Sequence, residues 1–376
     1  MSGPIEELEQ WSLSLHRVSS SGLQLCPQFP VLARRHEAWW NHDLLDRPLF
    51  LGTANTNPSQ AITRRLELLH DPDAWLAAKQ ADMRQTQYVG DALPNIRVDF
   101  GPVMLGGLLG GAVWFESDTT WTEAFIKDDW SNAPGGCIPD DGPWWNLLRL
   151  LLARVAEDAA GRYLLCTPDL GGSADLMLNL RGSSQLCVDV VDQPQRVRAA
   201  IDAVYPAWRR AFCELYRIAT AAGAGLIHWL GLWSDVPYMI PACDFSFMIG
   251  PEAFERVCLP DIARQAATVG RAVFHLDGPG AARHIDALLE VPHIQAVQFT
   301  PGSGAPSALP WVEMFRKIQQ KGRSVLIVAP AEEVMQLCDA LNPRGLAFLV
   351  YDSPRQAITD AFYGMCQRFS ATEDAC

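Results

Sequence analysis

The chain has 376 residues, of which 49% are hydrophobic and 19% charged, so it can bury a large core. Its net charge of −13 argues against nucleic acid as a partner, because phosphate contacts require a basic surface. The ten cysteines form no Cys-x-x-Cys pair, the N-terminus lacks an apolar signal core, and no apolar run reaches the roughly 20 residues of a membrane span. We therefore expect a soluble cytoplasmic protein without a membrane partner.

The N-terminal half predicts an irregular mixture of elements. Residues 1–45 are expected to form a helical extension, with helices over 5–16 and 33–42. A short apolar strand is predicted at 48–52, and a helix at 73–89 has Asp71 or Asp73 as its N-cap. These elements precede the regular part of the chain.

A glycine-rich stretch and a long insertion come next. A strand is predicted at 95–100, and the glycines of 101–111 lack the Gly-Lys-Ser/Thr that would complete a P-loop. After a strand at 112–115, residues 116–142 form a Trp- and Asp-rich insertion, a length typical of functional loops.

The rest of the chain alternates strands and helices. Strands are expected at 163–166, 225–229, 242–245, 271–275, 294–299, 324–328 and 345–350. Helices are expected at 144–160, 173–179, 193–222 (one helix or a broken pair), 251–269, 281–290, 309–321, 332–340 and 354–369. Apolar strands separated by helices indicate a parallel sheet covered on both faces. The strand count predicts an α/β fold, a single (β/α)8 barrel domain over 1–376, with its site at the carboxyl ends of the strands.

The strand predicted at 271–275 leads into His275-Leu-Asp277-Gly278 and turns directly into a helix. Two titratable groups are thereby placed at the carboxyl edge of the sheet, where ligands of α/β folds bind. The alternative interpretation is local, with Asp277 capping the helix and His275 packing in the core.

Other polar and aromatic residues follow the remaining strands and are expected at the same edge. They are Asp169, Arg181, His228, Trp229, Trp233, Cys243, Asp244, Gln298, Tyr351 and Asp352. Thirteen tryptophans, Trp121 in the insertion among them, either line a deep pocket for a flat or cationic ligand or fill the core.

This set of residues suits several kinds of chemistry. His275 and Asp277 could act as an acid–base pair, or bind a divalent metal together with His228 and Cys243. Arg181 could clamp a substrate carboxylate, with an ion pair to Asp169 or Asp175 as the alternative. Cys243 is otherwise read as a small buried residue.

Four stretches of the chain resemble the uroporphyrinogen decarboxylase superfamily, which also contains the cobalamin-dependent methyltransferases. They are 243–255 with Pro260, 274–278, 169–182 and 296–302. The resemblance runs over most of the chain from about residue 95 and is strongest with the poorly characterised branch. It implies a (β/α)8 barrel with a deep cleft at the carboxyl ends of the strands.

The sequence departs from both well-studied arms of that superfamily. Decarboxylases carry Arg-Gln-Ala-Gly-Arg near the N-terminus, whereas residues 33–40 read Ala-Arg-Arg-His-Glu-Ala-Trp-Trp. The methyltransferases hold zinc through a His-x-Cys pair and a later Cys. Here His275 matches the His, Asp277 stands where the first Cys would be, and Tyr351 stands near the second. The soft thiolate ligands are therefore absent from these positions.

Three functions stay open. The first is methyl or small-group transfer, with His275, Asp277, Asp244 and His228 as catalytic residues and His275 and Asp277 as metal ligands. The second is a decarboxylase or lyase acting on a small carboxylated substrate, and the third is a non-catalytic protein that binds a tetrapyrrole or a corrinoid. The predicted substrate-binding residues are Trp121, Asp169, Arg181, Trp229, Trp233, Gln298 and Tyr351. Zinc and a corrinoid are the candidate cofactors, a small molecule is the expected partner, and a homodimer is left open.

Overall fold

The computed structural model describes residues 22–55, 68–115, 120–127, 130–221, 223, 225–302, 304 and 307–373. The helix predicted over 5–16 lies outside the described residues. The predicted N-terminal extension is therefore described only from residue 22 onward, where its second helix is present as Phe29–Trp40.

Helices and strands alternate through most of the described chain. The α-helices are α1 (Phe29–Trp40), α2 (Pro72–Gln85), α3 (Met104–Leu108), α4 (Pro143–Ala159), α5 (Ser173–Arg181), α6 (Ser183–Asp192), α7 (Pro194–Ala221), α8 (Pro251–Val257), α9 (Leu259–Val269), α10 (Gly278–Ala281), α11 (Ile285–Leu289), α12 (Val312–Gln320), α13 (Val334–Ala340) and α14 (Arg355–Glu373). The strands are β1 (Leu49–Asn55), β2 (Thr86–Gly90), β3 (Asn95–Arg97), β4 (Val113–Phe115), β5 (Thr120–Thr122), β6 (Leu164–Cys166), β7 (Leu226–Ile227), β8 (Trp233–Ser234), β9 (Ala272–Asp277), β10 (Ile294–Thr300), β11 (Ser324–Val328) and β12 (Leu346–Val350). Short 3-10 turns lie at Asp244–Met248, Ala282–His284, Leu309–Trp311 and Ala331–Glu333.

Parallel pairing dominates two sheets. One sheet has the order β2-β1-β12-β11-β10-β9, parallel except for β2 at its edge, and the other has the order β3-β6-β7-β8, parallel except for β8. The segment before the turn at Asp244 pairs with β9 through two isolated parallel bridges, between Met239 and Ala272 and between Ala242 and His275. Within the described residues, these hydrogen bonds do not close a barrel.

The two sheets nevertheless face one interior. Side chains two residues apart project from the same side of a strand, and four such pairs line one cavity of about 310 Å³. These pairs are Leu51 with Thr53, Asn95 with Arg97, Gln298 with Thr300, and Leu349 with Tyr351. The cavity therefore lies among strands of both sheets.

The outer faces of the strands are covered by amphipathic helices. In α7 the buried residues recur at helical spacing, as Val197, Ile201, Val204 and Trp208 illustrate, and this stripe packs against α4. Pro206 lies inside α7 without ending it, so residues 194–221 form one helix. No helix of the described residues combines the length and the apolar character of a membrane span.

Six of the seven strands predicted from residue 163 onward are present, and the seventh, at 242–245, is wrong. Ala242 makes a single parallel bridge, after which the chain enters a 3-10 turn. The cause is a side chain, because Asp175 accepts the backbone N–H groups of Asp244 and Phe245 in place of a neighbouring strand.

Further elements differ from the predictions. The helix predicted over 73–89 ends at Gln85, and residues 86–90 form strand β2, which pairs with β1. The helix predicted over 251–269 is divided at Cys258, where Pro260 in the first turn of α9 supplies no N–H to the preceding helix. Helix α6 was not predicted, and Gly182, with φ of 84°, separates it from α5. Strand β8 was not predicted either, and it pairs antiparallel with β7.

The start of α5 approaches the chain before Asp244 closely, and this contact can be tested. A Cβ atom on Gly172 would lie 2.2 Å from the carbonyl oxygen of Ala242, a backbone atom that cannot rotate away. We expect Gly172→Ala to lower the free energy of unfolding by about 1–3 kcal/mol, measured by chemical denaturation.

Gly135→Ala is the matched control, because a Cβ there meets nothing within 4 Å. It should change stability by less than about 0.5 kcal/mol. Equal stabilities of the two variants would show that α5 does not pack against this segment as described.

Candidate functional site

Asp244, His275 and Asp277 come together at the carboxyl end of β9. Each offers one ligand atom, and these atoms all lie within 4.8 Å of one another. We call these three residues the Asp-His-Asp cluster. The spacing matches a shared cation, since ligand atoms about 2.0–2.6 Å from one ion lie within that distance of each other.

The pairing of β9 with β10 orients the imidazole. His275 lies opposite Gln298, and Asp277 lies opposite Thr300. The Nδ1 atom of His275 is hydrogen-bonded to Oε1 of Gln298, whose Nε2 donates to Oγ1 of Thr300 at 2.9 Å. Because an amide oxygen can only accept, Nδ1 carries the proton and the lone pair of Nε2 stays available to a ligand.

Asp277 occupies the N-cap position of α10, yet its side chain makes no capping hydrogen bond. The local interpretation, in which Asp277 serves as a helix cap, therefore has no hydrogen bond to support it. Its carboxylate is left to the Asp-His-Asp cluster.

Asp175, in the first turn of α5, fixes the backbone at Asp244 through hydrogen bonds. Its two carboxylate oxygens accept the N–H of Asp244 at 3.1 Å and the N–H of Phe245 at 2.9 Å. Burial, followed by the charge of Asp244, raises the pKa of Asp175 to about 7, although the two N–H donors lower it. The sequence offered Asp175 only as a partner for Arg181.

The negative charges of the cluster also affect the pKa values of Asp244 and Tyr351. Although part of Asp244 is open to solvent, the surrounding protein raises the pKa of its carboxyl group, and the charge of Asp277 raises it further, while His275 lowers it. Burial and the charges of Asp352 and Asp277 also raise the pKa of Tyr351, which keeps its hydroxyl protonated. A bound cation would relieve this repulsion.

The cavity of about 310 Å³ adjoins the cluster through Gln298, Thr300 and Trp229. The ring of Trp229 meets the ring of His275 edge-on, with centroids 5.0 Å apart. Arg97 is the one cationic side chain among the described residues that line this cavity, since His228 is neutral. The sequence analysis missed Arg97 and Thr300. Alternation along β3 and β10 was the available signal, but it does not reveal which face of a strand points inward.

His228 lines the cavity, but both of its ring nitrogens are engaged. Nδ1 is hydrogen-bonded to the hydroxyl of Thr167, and Nε2 lies 2.7 Å from the carbonyl oxygen of Tyr238, to which it donates. Burial lowers its pKa to about 4. His228 is therefore a neutral residue that links the ends of β6 and β7.

Arg181 and Trp233, two of the predicted substrate-binding residues, point elsewhere. Arg181 forms a buried ion pair with Asp189 at 2.7 Å, not with Asp169 or Asp175, and lies over the ring of Trp130. Trp233 is fully buried against Phe29 and is not among the residues that line the cavity.

The remaining predicted site residues lie in different parts of the structure. Gln298 and Tyr351 line the main cavity, and Asp169 lines a smaller adjoining pocket with His228 and Trp229. Trp121 is 43% exposed and stacks on Trp114 in the β4–β5 hairpin. Cys243 is buried beside Cys258, and the hydrogen bond between the two thiols, with burial, raises its pKa.

The state of His228 predicts a pH dependence of stability. Its pKa in the folded protein is about 4, below the usual value of 6.5, so the fold favours the neutral ring. The stability that depends on this preference is complete above pH 6.5 and is lost as the pH falls toward 4. We expect wild type to lose about 2 kcal/mol more than His228→Gln between pH 7 and pH 5, measured by urea denaturation. Parallel curves for the two proteins would contradict a buried neutral His228.

Comparison with known proteins finds similarity at the level of structure. No protein-family model and no curated protein matches the sequence. A methyltransferase from Methanosarcina mazei has a similar structure, with a TM-score of 0.59 over 90% of this chain and 99% of that chain. The two sequences are 11% identical, so the likeness concerns the fold. The chain thus has a mixed α/β fold with a parallel sheet, similar to the fold of that protein.

Proposed function

We propose that this chain is an enzyme that transfers a methyl or other small group on a small molecule. We further propose that it does so in a (β/α)8 barrel of the uroporphyrinogen decarboxylase-like superfamily. The observation that carries the proposal is the Asp-His-Asp cluster beside a cavity lined by strands of both sheets. The structural likeness to a methyltransferase supports the choice of reaction.

The donor set suits a divalent cation. Two carboxylates and one imidazole bind zinc, manganese or ferrous iron, and they lack the thiolates that favour the softest metals. A cation held by Asp244, His275 and Asp277 would serve as a Lewis acid and lower the pKa of a group bound to it.

The chain's own residues prepare the site for such a group. Gln298 fixes the tautomer of His275, and Asp175 fixes the backbone of Asp244. Trp229 packs edge-on against the His275 ring and also lines the cavity. Tyr351 contributes a protonated hydroxyl, which can donate a hydrogen bond to a bound molecule.

The size of the cavity favours a small substrate over a tetrapyrrole. Its volume of about 310 Å³ lies at the small end of the roughly 300–1,000 Å³ range of ligand pockets. A tetrapyrrole macrocycle is far larger, so the described residues would not enclose one. A corrinoid would therefore act as an external methyl donor rather than as a resident group.

The lyase alternative was based on Arg181 as a carboxylate clamp. Because the guanidinium of Arg181 is held by Asp189 and by the carbonyl oxygen of Ile126, its donors are directed away from the cavity. The lyase alternative thus loses Arg181 as its clamp, and the structural likeness to a methyltransferase is the observation that favours methyl or small-group transfer.

The metal ligands can be tested by substituting Asp277 and His275. We expect the wild-type protein to bind one equivalent of Zn²⁺ or Mn²⁺ by titration calorimetry, and Asp277→Asn and His275→Ala to bind it at least tenfold more weakly. Asp277→Asn should melt at the wild-type temperature, because Asp277 makes no capping hydrogen bond. Asp286→Asn, which removes a surface carboxylate paired with Lys317, is the matched control.

The reaction is then tested with the metal-loaded protein, methylcobalamin as donor and a panel of small thiols and amines as acceptors. Loss of the methylcobalamin absorbance should depend on the protein and fail in His275→Ala. Wild-type affinity for metal in both cluster variants, or no methyl transfer to any acceptor, would overturn the proposal.

A further inference from the structure

Arg97 lines the cavity, and none of the other described lining residues carries a negative charge. Its side chain is 38% exposed, on the inward face of β3 two residues after Asn95. The other described lining residues are apolar or neutral and polar, such as Asn95, Thr53, Thr300 and Gln298. An anionic ligand in the cavity would therefore meet one fixed positive charge.

Part of the guanidinium is held, and part is not. Asp99 pairs with Nη2 and is itself fixed by the N–H of Gly101, which donates to its Oδ1 at 2.9 Å. Nε of Arg97 is buried and has no hydrogen-bond partner among the described residues. The ion pair with Asp99 thus does not occupy every donor of the guanidinium, and an acceptor in the cavity would bind the donors that face it. Asp169 also feels the charge of Arg97, but burial raises the pKa of Asp169 and so weakens it as a competing anion.

Trp229 connects Arg97 to the Asp-His-Asp cluster. Its ring lies 6.0 Å from the guanidinium carbon of Arg97 and 5.0 Å from the ring of His275. A short ligand lying along this ring would have one end at Arg97 and the other at His275. The cavity volume of about 310 Å³, at the small end of the range of ligand pockets, suits a ligand of this size.

We propose that Arg97 determines substrate specificity, and that the substrate is a small molecule with a carboxylate bound by Arg97. The reacting group at its other end would lie at the Asp-His-Asp cluster. Asp99 is then a positioning residue, which holds the guanidinium so that its remaining N–H groups face the carboxylate. The role of the cluster in this inference rests on the proposed function. The contact between Arg97 and a carboxylate does not.

The test compares matched ligands and matched variants. Propionate, butyrate and 3-mercaptopropionate are titrated beside their primary amides, with binding followed by saturation-transfer NMR on protein treated with EDTA and on protein loaded with Zn²⁺. We expect at least one carboxylate to bind tenfold or more tightly than its amide. Arg97→Gln should remove that difference, and Arg97→Lys should restore part of it, since lysine keeps the charge and loses the planar fork. Arg198→Gln, which removes a helix-surface arginine paired with Asp202, should bind as wild type does.

The outcomes separate this inference from the proposed function. A carboxylate preference that depends on Arg97 in a protein that binds no metal would support the Arg97 site and overturn the metal centre. Metal binding that depends on Asp277, together with equal binding of carboxylates by wild type and Arg97→Gln, would overturn the Arg97 site alone. If Arg97→Gln fails to fold, Arg97→Lys and the wild-type preference decide, and equal or absent binding of carboxylates and amides by wild type refutes the proposal.

Discussion

The parallel register of β9 and β10 is the constraint on which the candidate site depends. It sets His275 beside Gln298 and Asp277 beside Thr300, so that all four side chains project toward the interior shared by the two sheets. A shift of one residue would turn His275 and Asp277 toward the covering helices and place Phe274 and Leu276 inside, because side chains alternate along a strand. The fully buried Phe274 and Leu276 resist that shift, since each would lose its apolar surroundings. Core packing and the position of the site are therefore fixed by the same ladder.

A second element is needed, because β9 supplies only two of the three cluster residues. Asp244 comes from the 3-10 turn that replaces a strand, and that turn exists because Asp175 captures two backbone N–H groups. The cost is electrostatic, since burial and the charge of Asp244 raise the pKa of Asp175, while burial and the charge of Asp277 raise the pKa of Asp244. An arrangement that brings several carboxylates together without an arginine or lysine among them is expensive for stability alone, and a cation is the simplest compensation.

Strand–helix alternation was sufficient to predict the parallel pairing and the edge at which His275 and Asp277 lie, but the strand predicted at 242–245 gives way to a 3-10 turn that begins at Asp244. Alternation could not predict side-chain direction. Trp233 follows β7 closely, yet it belongs to a two-residue antiparallel strand and packs on Phe29 instead of lining the cavity. Arg181 pairs with Asp189 because α6 begins directly after Gly182, and that helix was absent from the predicted elements. Such partners are decided by contacts between neighbouring elements, which periodicity along one segment does not encode.

A cluster of two carboxylates and an imidazole, without a thiolate, has a chemical consequence for what it can activate. A cation held by two carboxylates and an imidazole keeps more of its positive charge than one held by thiolates, because sulfur donates more electron density to the metal. Such a cation polarises bound oxygen or nitrogen groups more strongly and is less suited to a soft thiolate. Combined with a protonated Tyr351 nearby, this favours an acceptor that binds through oxygen or nitrogen. The chain shares its fold with a methyltransferase, and on the proposed function its acceptor chemistry would be set by Asp244 and Asp277.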